Sequence, residues 1–193
     1  MKKNKRGLVA NYFKPSMYVR SFKDVNINSL KEQGIKLFLC DLDNTLVPHY
    51  TRLPNKEVLR FIKTVESYGM EFVVVSNNTK KRVDMFCKRA NIKQWKGNAK
   101  KPLKSSISDI MKNSSVKPRE TIFMGDMIIT DILIANRMKM ESILVQPLVS
   151  TDYKMSALHT FLENVIYKRL EKKNILKRGK YSLGHLKTSF ELL

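Results

Sequence analysis

Acidic side chains are scarce in this chain of 193 residues: 17 Asp and Glu stand against 37 Lys and Arg, a formal net charge of +20. Such a field repels cationic partners and favours an anionic one, whether nucleic acid, an acidic membrane or a phosphorylated substrate. Cysteine is nearly missing. Cys40 and Cys87, the only two, lie inside apolar stretches; they cannot make a disulfide framework and read as buried thiols of a reducing compartment. The 3 histidines, His49, His159 and His185, have no metal-ligand spacing with one another or with a cysteine. No apolar run approaches the roughly 20 residues that cross a bilayer. The opening Met1-Lys2-Lys3-Asn4-Lys5-Arg6 resembles the start of a signal peptide, but no adequate apolar region follows it. The expected location is therefore cytoplasmic, with peripheral contact at the inner face of the membrane as the alternative. Among only 7 glycines there is no Walker loop or dinucleotide fingerprint, and no aromatic–basic nucleic-acid motif stands out.

What is present is ordinary globular material. Hydrophobic residues make up 42% and charged residues 28%, enough to bury a core. The basic excess is uneven. Residues 26–79 balance 6 basic against 6 acidic side chains, whereas residues 80–119 carry 13 against 2. Lys outnumbers Arg 27 to 10, so an AT-rich genome accounts for much of the total but less of the clustering.

Residues 1–33 form a basic amphipathic segment broken by Pro15, suited to packing on a core or lying on a membrane. Residues 34–150 read as the core domain, and residues 151–193 as a basic amphipathic helix and tail. Within the core, Ile35 to Cys40, Glu71 to Ser76, Thr121 to Asp126 and Ser142 to Val145 are strand-length apolar runs. Helices are expected between them: about Asn55 to Tyr68, one capped by Asn77-Asn78-Thr79 and running through about Ala90, Pro102 to about Asn113, and Thr130 or Asp131 to about Met138. Lys93 to Lys101 reads as irregular, anchored by Trp95. The tail predicts a helix from Lys154 to Lys173 with Leu158, Phe161, Leu162, Val165, Ile166 and Leu170 on its packed face. Strands alternating with helices imply an α/β fold, a doubly wound Rossmann-like parallel sheet, with every strand end on one edge.

That edge collects one kind of chemistry. The first strand ends in Asp41 and Asp43, the second in Ser76 and Asn77, and the last-but-one in Gly125-Asp126, with Asp131 five residues on. Lys100-Lys101-Pro102 lies in the connection between. A solvated turn explains a lone Asp-x-Asp equally well. Several carboxylates, a lysine and a hydroxyl together require a cation and an anion to neutralise them. Mg2+ suits such a set, because it takes one or two carboxylates and accepts a phosphate oxygen. A carboxylate can also act as a nucleophile and form an aspartyl-phosphate.

Asp41-Leu42-Asp43-Asn44-Thr45, Ser76-Asn77-Asn78, Lys101-Pro102 and Gly125-Asp126-x4-Asp131 resemble, in identity and order, the four motifs of the haloacid dehalogenase superfamily. The likeness is to its subclass IIIA, YqeG-type phosphatases and the related phosphatidylglycerophosphate phosphatases. That resemblance implies a haloacid dehalogenase-like fold and Mg2+-dependent hydrolysis of a phosphomonoester. It implies Asp41 as nucleophile, Asp43 as the acid and base, and Lys101 (Lys100 being the alternative) as the neutralising cation. Ser76 and Asn77 would bind phosphate and Thr45 would shape the loop. The metal would be held by Asp41, the carbonyl of Asp43, Asp126 and, directly or through water, Asp131.

Only about 30 residues separate the first two motifs and about 24 the next two, each gap filled by one helix. Neither leaves room for a large cap domain, so the cleft is expected to be open to a bulky or surface-bound substrate. With the family likeness this points to an anionic phospholipid head group, phosphatidylglycerophosphate, in phospholipid biosynthesis. Two other readings stand beside it: a phosphatase of a soluble metabolite, and a basic binding protein on RNA, the ribosome or a GTPase.

Overall fold

The computed structural model describes residues 7–149 and 157–182 of the 193. The basic start Met1 to Arg6, the expected helix start at Lys154, and His185 lie outside the described residues.

Six parallel strands form one sheet: β1 (Met17–Val19), β2 (Leu37–Cys40), β3 (Glu71–Val75), β4 (Gln94–Lys96), β5 (Thr121–Gly125) and β6 (Glu141–Val145), in the order β1-β6-β5-β2-β3-β4. From β2 the chain winds outward to β3 and β4, then returns to β5 on the other side of β2. The switch point of this doubly wound sheet, where α/β proteins bind ligands, is thus the crevice between the ends of β2 and β5.

The alternation of strand side chains divides the core in two. Phe38 and Cys40 face one layer, made by Val58, Phe61, Ile62 and Val65 of α3 (Lys56–Ser67) and Val83, Phe86 and Cys87 of α4 (Lys80–Ala90). Leu37 and Leu39 face the other, made by Ile107 and Ile110 of α5 (Ser105–Ser114) and Ile134 and Ala135 of α6 (Leu133–Met138). Asn55 caps α3 by accepting the Val58 N–H at 2.9 Å, and Gly69 ends its turn at φ +76°. Each of the links β2–β3 and β3–β4 contains one helix and no cap domain.

Several local expectations change. The amphipathic N-terminal stretch holds α1 (Leu8–Phe13) and a strand, β1, paired in register with β6 from Met17↔Ile143 to Val19↔Val145. Three residues following a proline carry no readable period. Gln94–Lys96 is likewise an edge strand on β3 rather than irregular chain, with Trp95 packed on the core. Helix α2 (Ile27–Glu32) begins at cap Asn26. Pro102 does not open α5: it sits in the loop that presents Lys101, and the helix begins at Ser105.

The tail helix, α7 (Ala157–Lys172), keeps only part of the expected face inward, Leu170 with Ile166 packed beside it. Glu163, Tyr167 and Leu170 are buried. Leu158 and Phe161 are 64% and 63% exposed, and Leu162 41%.

Candidate active site

The ends of β2, β3 and β5 and the loop that carries Lys101 deliver their side chains to one cavity of about 330 Å³, lined by Asp41, Asp43, Ser76, Asn77, Lys101, Asp126 and Asp131 among others. The backbone explains why they meet. Asp41 continues the sheet for one residue, its N–H donating to Met124 O at 2.8 Å. The chain then turns sharply. Asn44 adopts the left-handed region at φ 65°, its N–H donates to Val47 O at 2.7 Å, and Thr45 is swung over β5. There Thr45 Oγ1 donates to Asp126 Oδ1 at 3.0 Å. The residue read as shaping the loop therefore also orients a carboxylate.

Gly125 is required by the same crossing. A Cβ at this position would land inside the carboxyl group of Asp131. Asp131 is not the cap of the following helix. It lies within a π-helical turn, Ile128–Ile132, that leads into α6, and its Oδ2 accepts the Met127 N–H at 3.0 Å.

Lys101 closes the floor of the cavity. Its Nζ lies 2.5 Å from Asp41 Oδ1 and 2.8 Å from Asp131 Oδ1, and the side chain is 2% exposed. Lys100 is exposed at φ 60° and does not line the cavity. Asn77 holds this arrangement in place: its Oδ1 accepts the Lys101 N–H at 2.7 Å and its Nδ2 donates to the Lys101 carbonyl at 3.1 Å. The side-chain amide of Asn77 is thus engaged with the lysine's backbone, while the residue itself lines the cavity. Ser76, buried beside it, accepts the Asn78 N–H at 3.1 Å on its hydroxyl.

The electrostatics of the floor are lopsided. Asp41, Asp126 and Asp131 offer oxygens all within 4.8 Å of one another, against one ammonium. Burial, with the neighbouring charge of Asp131 next among the raising causes, lifts the Asp41 carboxyl to about 7 despite Lys101. Burial and then the charges of Asp41 and Asp131 push Asp126 well above the usual carboxylate range. Burial alone would lower Lys101; Asp131 and Asp41 more than offset it and raise it, so the amine stays charged. A hard divalent cation among these three carboxylates would remove the imbalance, and an all-oxygen donor set of this kind suits Mg2+ or a similar ion. The residues fit a metal.

Asp43 lies apart from that cluster. Its Oδ2 accepts from Asn78 Nδ2 at 2.7 Å and its Oδ1 from Arg82 at 3.1 Å. Any contribution of this residue to the metal would therefore be its carbonyl, as expected, and not its carboxylate. Arg82 also donates to the Thr51 carbonyl at 2.5 Å and lies over the Phe86 ring, 5.6 Å from its centroid. Neither Asn78 as a partner of Asp43 nor Arg82 was singled out in the sequence. Arg82 lies in the first turn of α4 and 39 residues from Asp43, and a local pattern does not report a pairing at that distance.

The family model described as Mitochondrial PGP phosphatase matches residues 5–150. A protein of Bacillus subtilis (strain 168) named "Probable phosphatase YqeG" is 27% identical over 166 residues, covering 86% of this chain and 96% of its own. Among solved structures, an uncharacterized protein from Listeria monocytogenes serotype 4b superposes with a TM-score of 0.51 at 15% identity, over 72% of this chain and 99% of its own. A hypothetical protein from Xanthomonas campestris superposes with a TM-score of 0.50 at 12% identity, over 65% and 72%; these two likenesses concern the fold. The chain belongs to the Mitochondrial PGP phosphatase family and is a phosphatase of the haloacid dehalogenase superfamily.

Proposed function

We propose that this phosphatase removes the terminal phosphate of phosphatidylglycerophosphate, in a Mg2+-dependent reaction that passes through an aspartyl-phosphate on Asp41. The observation that carries the chemistry is the buried Asp41 carboxylate, 2.5 Å from the Lys101 ammonium and grouped with Asp126 and Asp131. Asp41 attacks phosphorus, forming its own O–P bond as the ester O–P bond breaks. Asp43 gives its proton to the departing alkoxide, then takes one from the water that cleaves the aspartyl-phosphate and releases inorganic phosphate. Lys101 and the Ser76 hydroxyl face the charge on the phosphoryl oxygens. The cation, when bound, adds positive charge beside those oxygens and the attacking carboxylate.

The choice of a lipid rests on the surroundings of the cavity. No cap domain stands between β2 and β4. A second cavity of about 330 Å³, lined by apolar Phe13, Ile129, Leu133, Leu162 and Ile166 with other residues, shares Thr130 with the first. Next to it, α7 exposes Leu158 and Phe161 and carries Lys168, Arg169 and Lys172 further along. Apolar side chains beside basic ones suit an anionic lipid surface. No described helix is long and apolar enough to cross a membrane, so the contact proposed is peripheral.

The test is phosphate release from phosphatidylglycerophosphate in mixed micelles, with Mg2+ and with chelator. Wild type should turn over only with the cation, and Asp41→Asn should be inactive. Rapid turnover of soluble sugar or nucleotide phosphates with none of the lipid would overturn the lipid assignment while leaving the chemistry standing.

A further inference from the structure

The turn that follows Asp126 starts with three backbone N–H groups lying ahead of any helical acceptor. Two carboxylates take all three. Met127 donates to Asp131, as above, while Ile128 and Ile129 donate to Oε1 and Oε2 of Glu163 at 2.8 and 3.1 Å. Glu163 arrives from α7, 35 and 34 residues away, and is only 8% exposed. It does not line the catalytic cavity. Burial raises its carboxyl to about 7, against the pull of the two N–H donors. A leucine or methionine would pack here without a buried charge but would leave the Ile128 and Ile129 N–H groups with no acceptor, so what the carboxylate adds is its hold on this turn.

We propose that Glu163 is a positioning residue for the metal-binding carboxylates. By gripping Ile128 and Ile129 it fixes the π-helical turn, and with it the separation of Asp126 and Asp131. The proposal rests on the reading of Asp41, Asp126 and Asp131 as a cation site. It carries that site into α7, beyond residues 5–150 covered by the family model. A carboxylate that orients metal ligands from behind typically alters metal affinity ten- to hundredfold when removed.

The experiment is calorimetric titration of Mn2+ into the metal-free full chain as wild type, E163Q, E163A and D126N, with melting curves to establish that each is folded. E163Q keeps the shape but offers one acceptor oxygen where two are needed. It should bind Mn2+ about ten- to hundredfold more weakly, and E163A at least as weakly, with the apparent metal constant in activity assays rising more than kcat falls. A folded E163Q that binds Mn2+ like wild type, when D126N does not, overturns this proposal alone. Undiminished binding by D126N overturns the cation site itself. Hydrogen exchange on wild type needs no variant: Mn2+ should protect residues 160–166 together with residues 126–133, and protection confined to the latter counts against the coupling.

Discussion

The floor of the cavity and its rim each hold one of the two aspartates of the opening motif, in opposite surroundings. On the floor, Asp41 shares a buried space with Asp126, Asp131 and a single lysine, so negative charge exceeds positive. At the rim, Asp43 is matched by one arginine and one amide and reaches solvent, its side chain 17% exposed. One residue of chain, Leu42, separates an unbalanced site, complete only with a cation, from one already balanced by protein. Strand geometry alone does not do this. The chain leaves the extended state after Asp41, and the turn through Asn44 sends the two carboxylates to different neighbours.

The harshest way to break the contrast is to remove the floor's lysine. Lys101→Met leaves Asp41 and Asp131 facing each other with no cation between them. We expect kcat to fall about 10²–10³-fold and the metal-free protein to lose about 3–5 kcal/mol of stability, as for a buried pair stripped of one partner. Steady-state kinetics at saturating Mg2+ and urea denaturation in chelator measure the two.

Raising the pH strains the floor more gently. Asp41 and Glu163 titrate near 7 in the folded protein, above their ordinary ranges near 4. A carboxyl whose folded pKa is raised contributes stability that is complete below the unfolded pKa and is lost as pH climbs through the folded one. Metal-free protein should therefore melt at a lower temperature at pH 8 than at pH 5. The shift of Glu163 from 4.5 to about 7 is by itself worth about 3 kcal/mol. Saturating Mg2+ should remove the Asp41 part of the dependence by offsetting that carboxylate's charge and leave the Glu163 part in place. A metal-free melting temperature that rises from pH 5 to pH 8 would contradict the burial argument.

The smallest effect should come from the rim. Arg82→Gln releases Asp43 and the Thr51 carbonyl but leaves the floor untouched. We expect kcat/KM to fall about tenfold, with Mn2+ affinity equal to wild type by calorimetry. A loss of metal binding in this variant would show that floor and rim are not separate.

The same division marks what was legible in the chain. Asp41, Ser76 and Asp126 end apolar runs, and a strand that stops in a polar group announces both itself and its edge. Lys101 was within reach through its neighbour Pro102, although the proline proved to belong to a loop and not to a helix start. Arg82 appeared only as one more charge in a basic stretch, since its partner is distant in sequence. Glu163 was hidden further. The apolar periodicity of α7 put Phe161 and Leu162 inward, but the helix is oriented by a polar side chain that two backbone donors require. Strand β1 was lost to brevity, three residues at an edge after Pro15.

The clamp of Asn77 on both sides of the Lys101 backbone has a thermodynamic consequence. A free lysine side chain holds about 2 kcal/mol of rotamer entropy, and a residue in a loop adds roughly 1–2 kcal/mol for its backbone. Here the amide of Asn77 fixes the backbone, and Asp41 with Asp131 fixes the ammonium. That freedom is surrendered once, when the chain folds. An arriving phosphate meets a cation already in place, and no ordering cost for Lys101 recurs with each turnover.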